Sequence, residues 1–291
     1  MGHITPELGA RLRSAIERMP AFPKSVQRIL ELTRDINCHP KDVVAVIEKD
    51  PVIAVKILKL LNSAHYSLPS KITSIGHSVV FLGMNTVKNL ALNFSAHGIL
   101  PAKNSAGFDM HHYLMHALLC ANLTRQLAEQ YADEVDANDA YLAGLLHNFG
   151  KVVFVQFMPE QYRDAIGLAE RDGIPLHEAE VQVIGTDHAR AGAMLIEHWQ
   201  FPPALAACVA GHHEGAGDSP LGQCLHAADR IALHLLAEAD GQDAAGGQAN
   251  APPREAPLAP RFNTDLDGLI AGLGNTNKML EQAAMFCQGS H

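Results

Sequence analysis

Leu145-Leu146-His147-Asn148-Phe149-Gly150-Lys151 is the stretch on which the reading of this chain turns. An apolar helix carrying Leu142, Leu145 and Leu146 ends in adjacent imidazole and amide side chains, followed by a glycine and a lysine. Four features at wide separation belong with it. His116 lies on the preceding helical stretch, and His188 closes Gly185-Thr186-Asp187-His188. His212-His213 precedes Glu214, and Asp229 stands in Ala227-Ala228-Asp229-Arg230. Imidazole and carboxylate are the ligands of a divalent ion that activates water at a phosphoester, and facing helices supply one or two ligands each. Taken singly, every one of these residues has a plainer role. His147-Asn148 could end a helix with the amide as cap, His116 could share a solvated face with His112, and His212-His213 could meet the negative end of a helix dipole. Asp229-Arg230 could be an ion pair and Lys151 a solvated charge. Only their joint order points to a site.

Working outward, apolar residues recur at three- and four-residue spacing along most of the chain, which predicts an all-α fold. Val26, Ile29, Leu30 and Thr33 make a first amphipathic helix with Pro23 at its first turn, and Val43, Val44 and Ile47 a second. Asp50 reads as an N-cap before Pro51, on a helix that carries Ile53, Ile57, Leu58 and Leu61 and ends near Asn62. Ser74 starts a helix that Gly83 stops, and Val87, Leu90, Ala91 and Phe94 continue after the turn. Pro101 to Gly107 reads as a joint. Longer helices follow, at His112 to Tyr131 and then after a cap at Asp136 or Asn138. Val152 to Phe157 fits a strand as well as a helix by periodicity and is placed in a helix. Further helices are expected near 160–171, 176–184, 187–199, 202–212, 219–238 and 265–286. The segment 239–260, rich in Ala, Gly, Pro and Gln, reads as a flexible insertion. The expected organisation is two packed helical parts, 1–105 and 106–291.

Composition narrows the function classes. With 22 Lys and Arg against 31 Asp and Glu, the 291-residue chain carries −9 and has no bulk attraction for nucleic acid or an anionic membrane. Ile75 to Phe94 resembles a helix-turn-helix, but its second helix offers only Lys88 as a cation, which weighs against nucleic acid. No apolar run suits a membrane span, and Met1 to Arg13 lacks the apolar region of a secretory signal, so a cytoplasmic location is expected. The five cysteines are scattered with no CxxC pair and read as buried, inert thiols. Histidine is abundant, at 17 residues.

The order His … His-(Asp) … His … His … Asp resembles the HD superfamily of metal-dependent phosphohydrolases. Upstream, Pro20-Ala21-Phe22-Pro23, Asp50-Pro51, Leu60-Leu61-Asn62-Ser63-Ala64-His65-Tyr66, Ile72-Thr73-Ser74-Ile75 and Leu82-Gly83 resemble the signature of the HDOD family, over roughly residues 15 to 235. That resemblance implies a helical output domain of bacterial signalling, often joined to receiver or cyclic-dinucleotide modules. Its C-terminal part would be an HD-like bundle. It also implies metal ligands at His116, His147, Asn148 and Asp229, with His188, His212 and His213 around a second ion, and Lys151 toward a phosphate. Iron, manganese, zinc, nickel or magnesium would suit such a set.

Two departures shift the expectation away from catalysis. The doublet is His147-Asn148 where the superfamily has His-Asp, and a neutral amide offers a carbonyl oxygen without charge. The Gly-Tyr-Pro motif of the cyclic-dinucleotide phosphodiesterases is absent after His212-His213-Glu214. The expected function is therefore signal output through contact with other signalling proteins (a sensor kinase, a receiver or a cyclic-dinucleotide enzyme), gated by a metal or nucleotide in the old pocket. A working phosphohydrolase on a small phosphoester or nucleotide is the alternative, and a nucleic-acid-binding regulator a weaker one.

Overall fold

Capping chemistry sets where the helices begin. The computed structural model describes residues 5–35, 37–63, 71–101, 104–214, 219–239 and 257–289. Its helices are α1 (Pro6–Glu17), α2 (Lys24–Thr33), α3 (Pro40–Glu48), α4 (Pro51–Leu61), α5 (Ile75–Leu82), α6 (Met84–Ile99), α7 (Met110–Tyr131) and α8 (Ala137–Leu146). They continue as α9 (Phe149–Phe157), α10 (Pro159–Asp172), α11 (Leu176–Val183), α12 (His188–His198), α13 (Pro203–Ala210) and α14 (Pro220–Ala239). A 3-10 turn at Pro260–Phe262, α15 (Leu266–Leu273) and α16 (Thr276–Gly289) follow. No strand occurs among the described residues, and Val152 to Phe157 is helical. Among them no helix is long and apolar enough to cross a membrane.

The caps are those the side chains favour. Asp50 Oδ1 accepts from the Ile53 N–H at 3.2 Å while Oδ2 accepts from Ser25 Oγ at 2.7 Å, so one carboxylate caps α4 and ties it to α2. Ser74 caps α5, and of the two candidates before α8 it is Asp136 that caps, accepting from Asn138 and Asp139. Gly83 ends α5 at φ +80, a conformation open to glycine and costly for other residues. Asn62 clamps the chain beyond α4. Its carbonyl accepts from the Ile72 N–H at 2.9 Å, and its amide donates to the Ile72 and Leu58 carbonyls at 2.8 Å each. The Ala64-His65-Tyr66 part of the expected signature lies outside the described residues, as do residues 240–256 of the expected insertion.

Two expectations need correction. Helix α1 was not foreseen, although Thr5 caps it, Pro6 opens it, and Leu8, Leu12 and Ile16 form its buried stripe. The single stretch 265–286 is two helices, broken where Gly274 adopts φ +68.

The chain divides into two compact units, residues 20–100 with 281–291, and residues 1–19 with 101–280. The division differs from 1–105 and 106–291 at both chain ends, because terminal segments pack away from their sequence neighbours. In the first unit α2 to α6 enclose Val26, Ile29, Val43, Ile47 and Ile57, each fully buried and each stabilising the fold by roughly 1.5–3 kcal/mol. Phe286 lies against Phe94 there at 4.7 Å. Lys88, the lone cation of the helix-turn-helix-like stretch, is also buried in this unit, which weighs further against nucleic acid. In the second unit α7 runs against α8 and α14, α12 against α9 and α13, and α1 against α9 and α12. Two glycines permit close helix–helix approaches. A Cβ on Gly144 would lie 2.6 Å from Ala121 Cα in α7, and one on Gly150 would lie 2.7 Å from the Gly192 nitrogen in α12.

Candidate metal centre

These close approaches bring the ends of α8 and α12 and the middles of α7 and α14 to one place. Helix α7 carries His116 and Cys120 one turn apart on the same face. His147 is the residue that ends α8, Asn148 precedes α9, and α14 supplies Asp229. The ligand atoms of His116, Cys120, His147 and Asp229 all lie within 4.8 Å of one another. A second group, His188 at the start of α12 with His212 and His213 after α13, meets the same criterion. The two groups adjoin: ring centroids of His147 and His212 are 5.1 Å apart, and those of His212 and His188 5.5 Å. The six imidazole and carboxylate residues expected at a site are therefore gathered in one unit, with Asn148, the seventh, beside His147.

Hydrogen bonds orient the rings. His147 Nδ1 donates to the Gly144 carbonyl and His212 Nδ1 to the Val209 carbonyl, both at 2.7 Å and both three residues back, at a helix end where carbonyls lack the regular intrahelical bond. His188 Nδ1 lies 2.6 Å from Glu180 Oε2, which also accepts from the His188 backbone N–H at 2.7 Å. Each of these rings thus turns its Nε2 lone pair away from its anchor, the arrangement that metal-binding histidines use. His213 Nε2 meets His188 Nε2 at 2.8 Å, and His177 stacks on His213 at 4.1 Å.

The spacing of the first group fits a small divalent ion. His116 Nε2 is 2.9 Å from Asp229 Oδ1, His147 Nε2 is 3.3 Å from the same oxygen, and the two Nε2 atoms are 3.3 Å apart. Donors bound at about 2.0–2.1 Å in a tetrahedron stand about 3.3 Å from one another. His212 Nε2 and Asn148 Oδ1 are buried without a hydrogen-bond partner, as donor atoms awaiting a cation would be. Asn148 differs from the rest. Its Nδ2 donates to His147 Nε2 at 2.7 Å, occupying the lone pair that an ion would need.

Lys151 is half-buried on the first turn of α9; burial lowers its pKa, and the charges of Glu180 and Asp229 oppose that. Burial alone would raise Asp229, but the hydrogen bond from His116 Nε2, with the His147 ring also facing the carboxylate, outweighs it and holds the carboxyl well below its usual range. Cys120, Glu180 and His177 belong to the site yet were not among its expected residues. Cys120 was visible as the residue one turn beyond His116. Glu180 left no local signal, since its role is set by His188 on another helix.

The buried imidazoles make stability depend on pH. Burial lowers the pKa of His116, His188 and His213, and takes His212 down to about 3. Between those folded values and the ordinary 6.5 the unfolded chain binds protons that the folded chain does not. Each such group therefore removes about 1.4 kcal/mol of stability per unit as pH falls below about 6.5. Glu180, pushed up to about 8 by burial with Lys151 opposing, acts in the other direction, since the folded carboxyl keeps a proton that the unfolded one has released. Chelator-treated protein is expected to be most stable at about pH 6.5, with urea midpoints lower at about 5 and about 8. A flat profile across that range would mean that the imidazoles are not held neutral.

The HDOD domain family model matches residues 19–215. An uncharacterized protein of Treponema pallidum (strain Nichols) is 26% identical over 209 residues, 72% of this chain, and the chain spans 40% of that relative's length. A solved HDOD domain protein of unknown function from Geobacter sulfurreducens aligns with a TM-score of 0.73 at 20% identity, over 95% of this chain and 97% of that one. A Marinobacter aquaeolei VT8 protein assigned by inference to signal transduction gives 0.74 at 23% identity, over 98% and 67%. One from Shewanella amazonensis SB2B, assigned by inference as a phosphohydrolase, gives 0.68 at 24% identity, over 97% and 98%. These likenesses establish a shared fold.

Proposed function

The chain belongs to the HDOD family, and from that premise we propose that it is a bacterial signal-transduction output module acting through protein–protein contact, with a divalent-metal site kept in its core and no hydrolysis at that site. The observation that carries this reading is the Asn148 amide seated on His147 Nε2 at 2.7 Å. A hydrolase of this superfamily has an aspartate there. The amide contributes no charge, and its N–H competes with an ion for His147.

His116, His147 and Asp229 would hold a first ion and His188, His212 and His213 a second, with Asn148 a ligand only through its carbonyl oxygen. A bound divalent ion supplies Lewis acidity toward water or a phosphoryl oxygen. In the module proposed here the chain's own residues instead fix the relative positions of α7, α8, α12 and α14, so that occupancy stiffens one unit of the fold. Its partners are other signalling proteins of the cytoplasm: a sensor kinase, a receiver or a cyclic-dinucleotide enzyme, with a nucleotide as an additional ligand. Val52, Val55, Val80 and Phe81, exposed on α4 and α5, supply apolar surface of the kind protein contacts use.

The survival of the whole imidazole array favours a second reading, a metal-dependent phosphohydrolase with Lys151 toward the substrate phosphate. Metal content and hydrolysis of a generic phosphodiester and of cyclic dinucleotides separate the two. Protein purified without a His-affinity column and supplied with manganese, iron, zinc, nickel or magnesium is expected to show no turnover. Turnover that follows metal occupancy and disappears in His147→Ala would replace the output-module reading with the enzymatic one.

A further inference from the structure

We infer that Cys120 is a ligand of the first ion, so that this chain's site is a His116-Cys120-His147-Asp229 set that selects zinc over harder ions such as magnesium. The inference rests on the metal reading above and goes beyond it by naming a donor and the ion it favours.

Geometry places the thiol. Cys120 stands one turn beyond His116 on α7, is fully buried, and has its Sγ within 4.8 Å of the ligand atoms of His116, His147 and Asp229. Its Sγ lies 3.9 Å from the Thr124 hydroxyl, and that hydroxyl donates to the Cys120 carbonyl at 2.7 Å. The sulfur therefore has no strong hydrogen bond to surrender.

Charge then explains why a sulfur would be recruited. Two neutral imidazoles and Asp229 carry one negative charge between them. Asn148 adds none, which leaves a divalent ion half-neutralised in a buried site, and uncompensated buried charge is costly. A Cys120 thiolate restores neutrality. Four donors of nitrogen, sulfur and oxygen type suit four-coordinate zinc, whereas magnesium prefers oxygen donors and six-fold coordination. On binding, the Cys120 thiol releases its proton to solvent as the metal–sulfur bond forms. His116 changes tautomer, the proton it shares with Asp229 passing from Nε2 to Nδ1. Nothing is oxidised or reduced.

Cobalt(II) titration of chelator-stripped full-length protein tests this, because a thiolate on cobalt gives a charge-transfer absorption in the near ultraviolet that nitrogen and oxygen ligands do not. Wild type is expected to show that band together with the visible ligand-field bands. In Cys120→Ala the charge-transfer band should vanish while the ligand-field bands remain. Zinc affinity, read by competition against cobalt, should fall about 100-fold or more, beyond the usual effect of outer-shell partners. Cys120→Ser keeps the shape should the alanine variant fail to fold, and it too should lose the band. Cys208→Ala, a change at another buried thiol, should keep it. Cobalt bound without the band, or with a band unchanged in Cys120→Ser, would overturn the role of Cys120 while leaving the metal reading intact. No cobalt bound at all would sink both.

Discussion

Gly150→Ala is expected to cost about 3 kcal/mol or more, the upper end of what overpacking a core does. A Cβ at this position would lie 2.7 Å from the Gly192 nitrogen and closer still to the His188 carbonyl oxygen. Both obstacles are backbone atoms of α12, so no side chain can rotate aside; α9 and α12 must separate along their contact. The displacement would reach the site directly, because His188 lies between Glu180, its anchor, and His213. Urea unfolding measures the stability loss, and weaker cobalt binding would report the distortion of the second ligand group. Gly167→Ala at an exposed position of α10 is the control: its Cβ would meet nothing within 4 Å, and it is expected to raise stability by about 0.4–1 kcal/mol. If the two variants unfold at the same midpoint, the close contact of α9 and α12 is not what holds the site.

The contrast between those glycines shows what was legible beforehand. Gly150 and Gly167 are both single glycines in helical sequence, and nothing local tells them apart; only the partner helix does. Caps, by contrast, are local events, so Asp50-Pro51, Ser74 and Gly83 could be read directly, and the helical class followed from apolar spacing. Helix α1 carries the same kind of signal at Thr5-Pro6, on a shorter apolar stripe of Leu8, Leu12 and Ile16. The candidate site was legible as an ordered list of histidines ending in Asp229, because a recurring order of ligands survives in sequence even when distances do not. What the list could not contain was Glu180, whose carboxylate matters only through His188. Nor could it rank Cys120, since a buried thiol among apolar neighbours looks the same whether or not three ligand atoms face it.

Asn148→Asp is expected to tighten divalent-metal binding about 100-fold or more, of the order that ligand-shell changes produce, and to weaken the ion-free fold at the same time. The two effects share one cause. The Asn148 side chain sits 2.7 Å from His147 Nε2, and Asp229 Oδ1 is 3.3 Å from that same nitrogen. A second carboxylate there faces the first across one imidazole in a buried site, so like charges raise its pKa above the ordinary carboxylate value. With the folded pKa raised, the folded state keeps a proton that the unfolded chain gives up, and ion-free stability falls as pH rises above about 4. An ion reverses the balance, because its positive charge attracts the added carboxylate and offsets the repulsion from Asp229. Thermal melts should therefore show the variant less stable than wild type in chelator and more stable in zinc or manganese; each 100-fold excess of ion over its dissociation constant is worth about 2.7 kcal/mol. Equal melting in chelator and in metal would mean that the side chain at 148 does not face the ion. The double variant Cys120→Ala/Asn148→Asp separates donor type from charge. It exchanges a soft donor for a hard one at constant charge, so it should bind manganese better and zinc worse than wild type, and any hydrolysis the scaffold can support should emerge in that variant first.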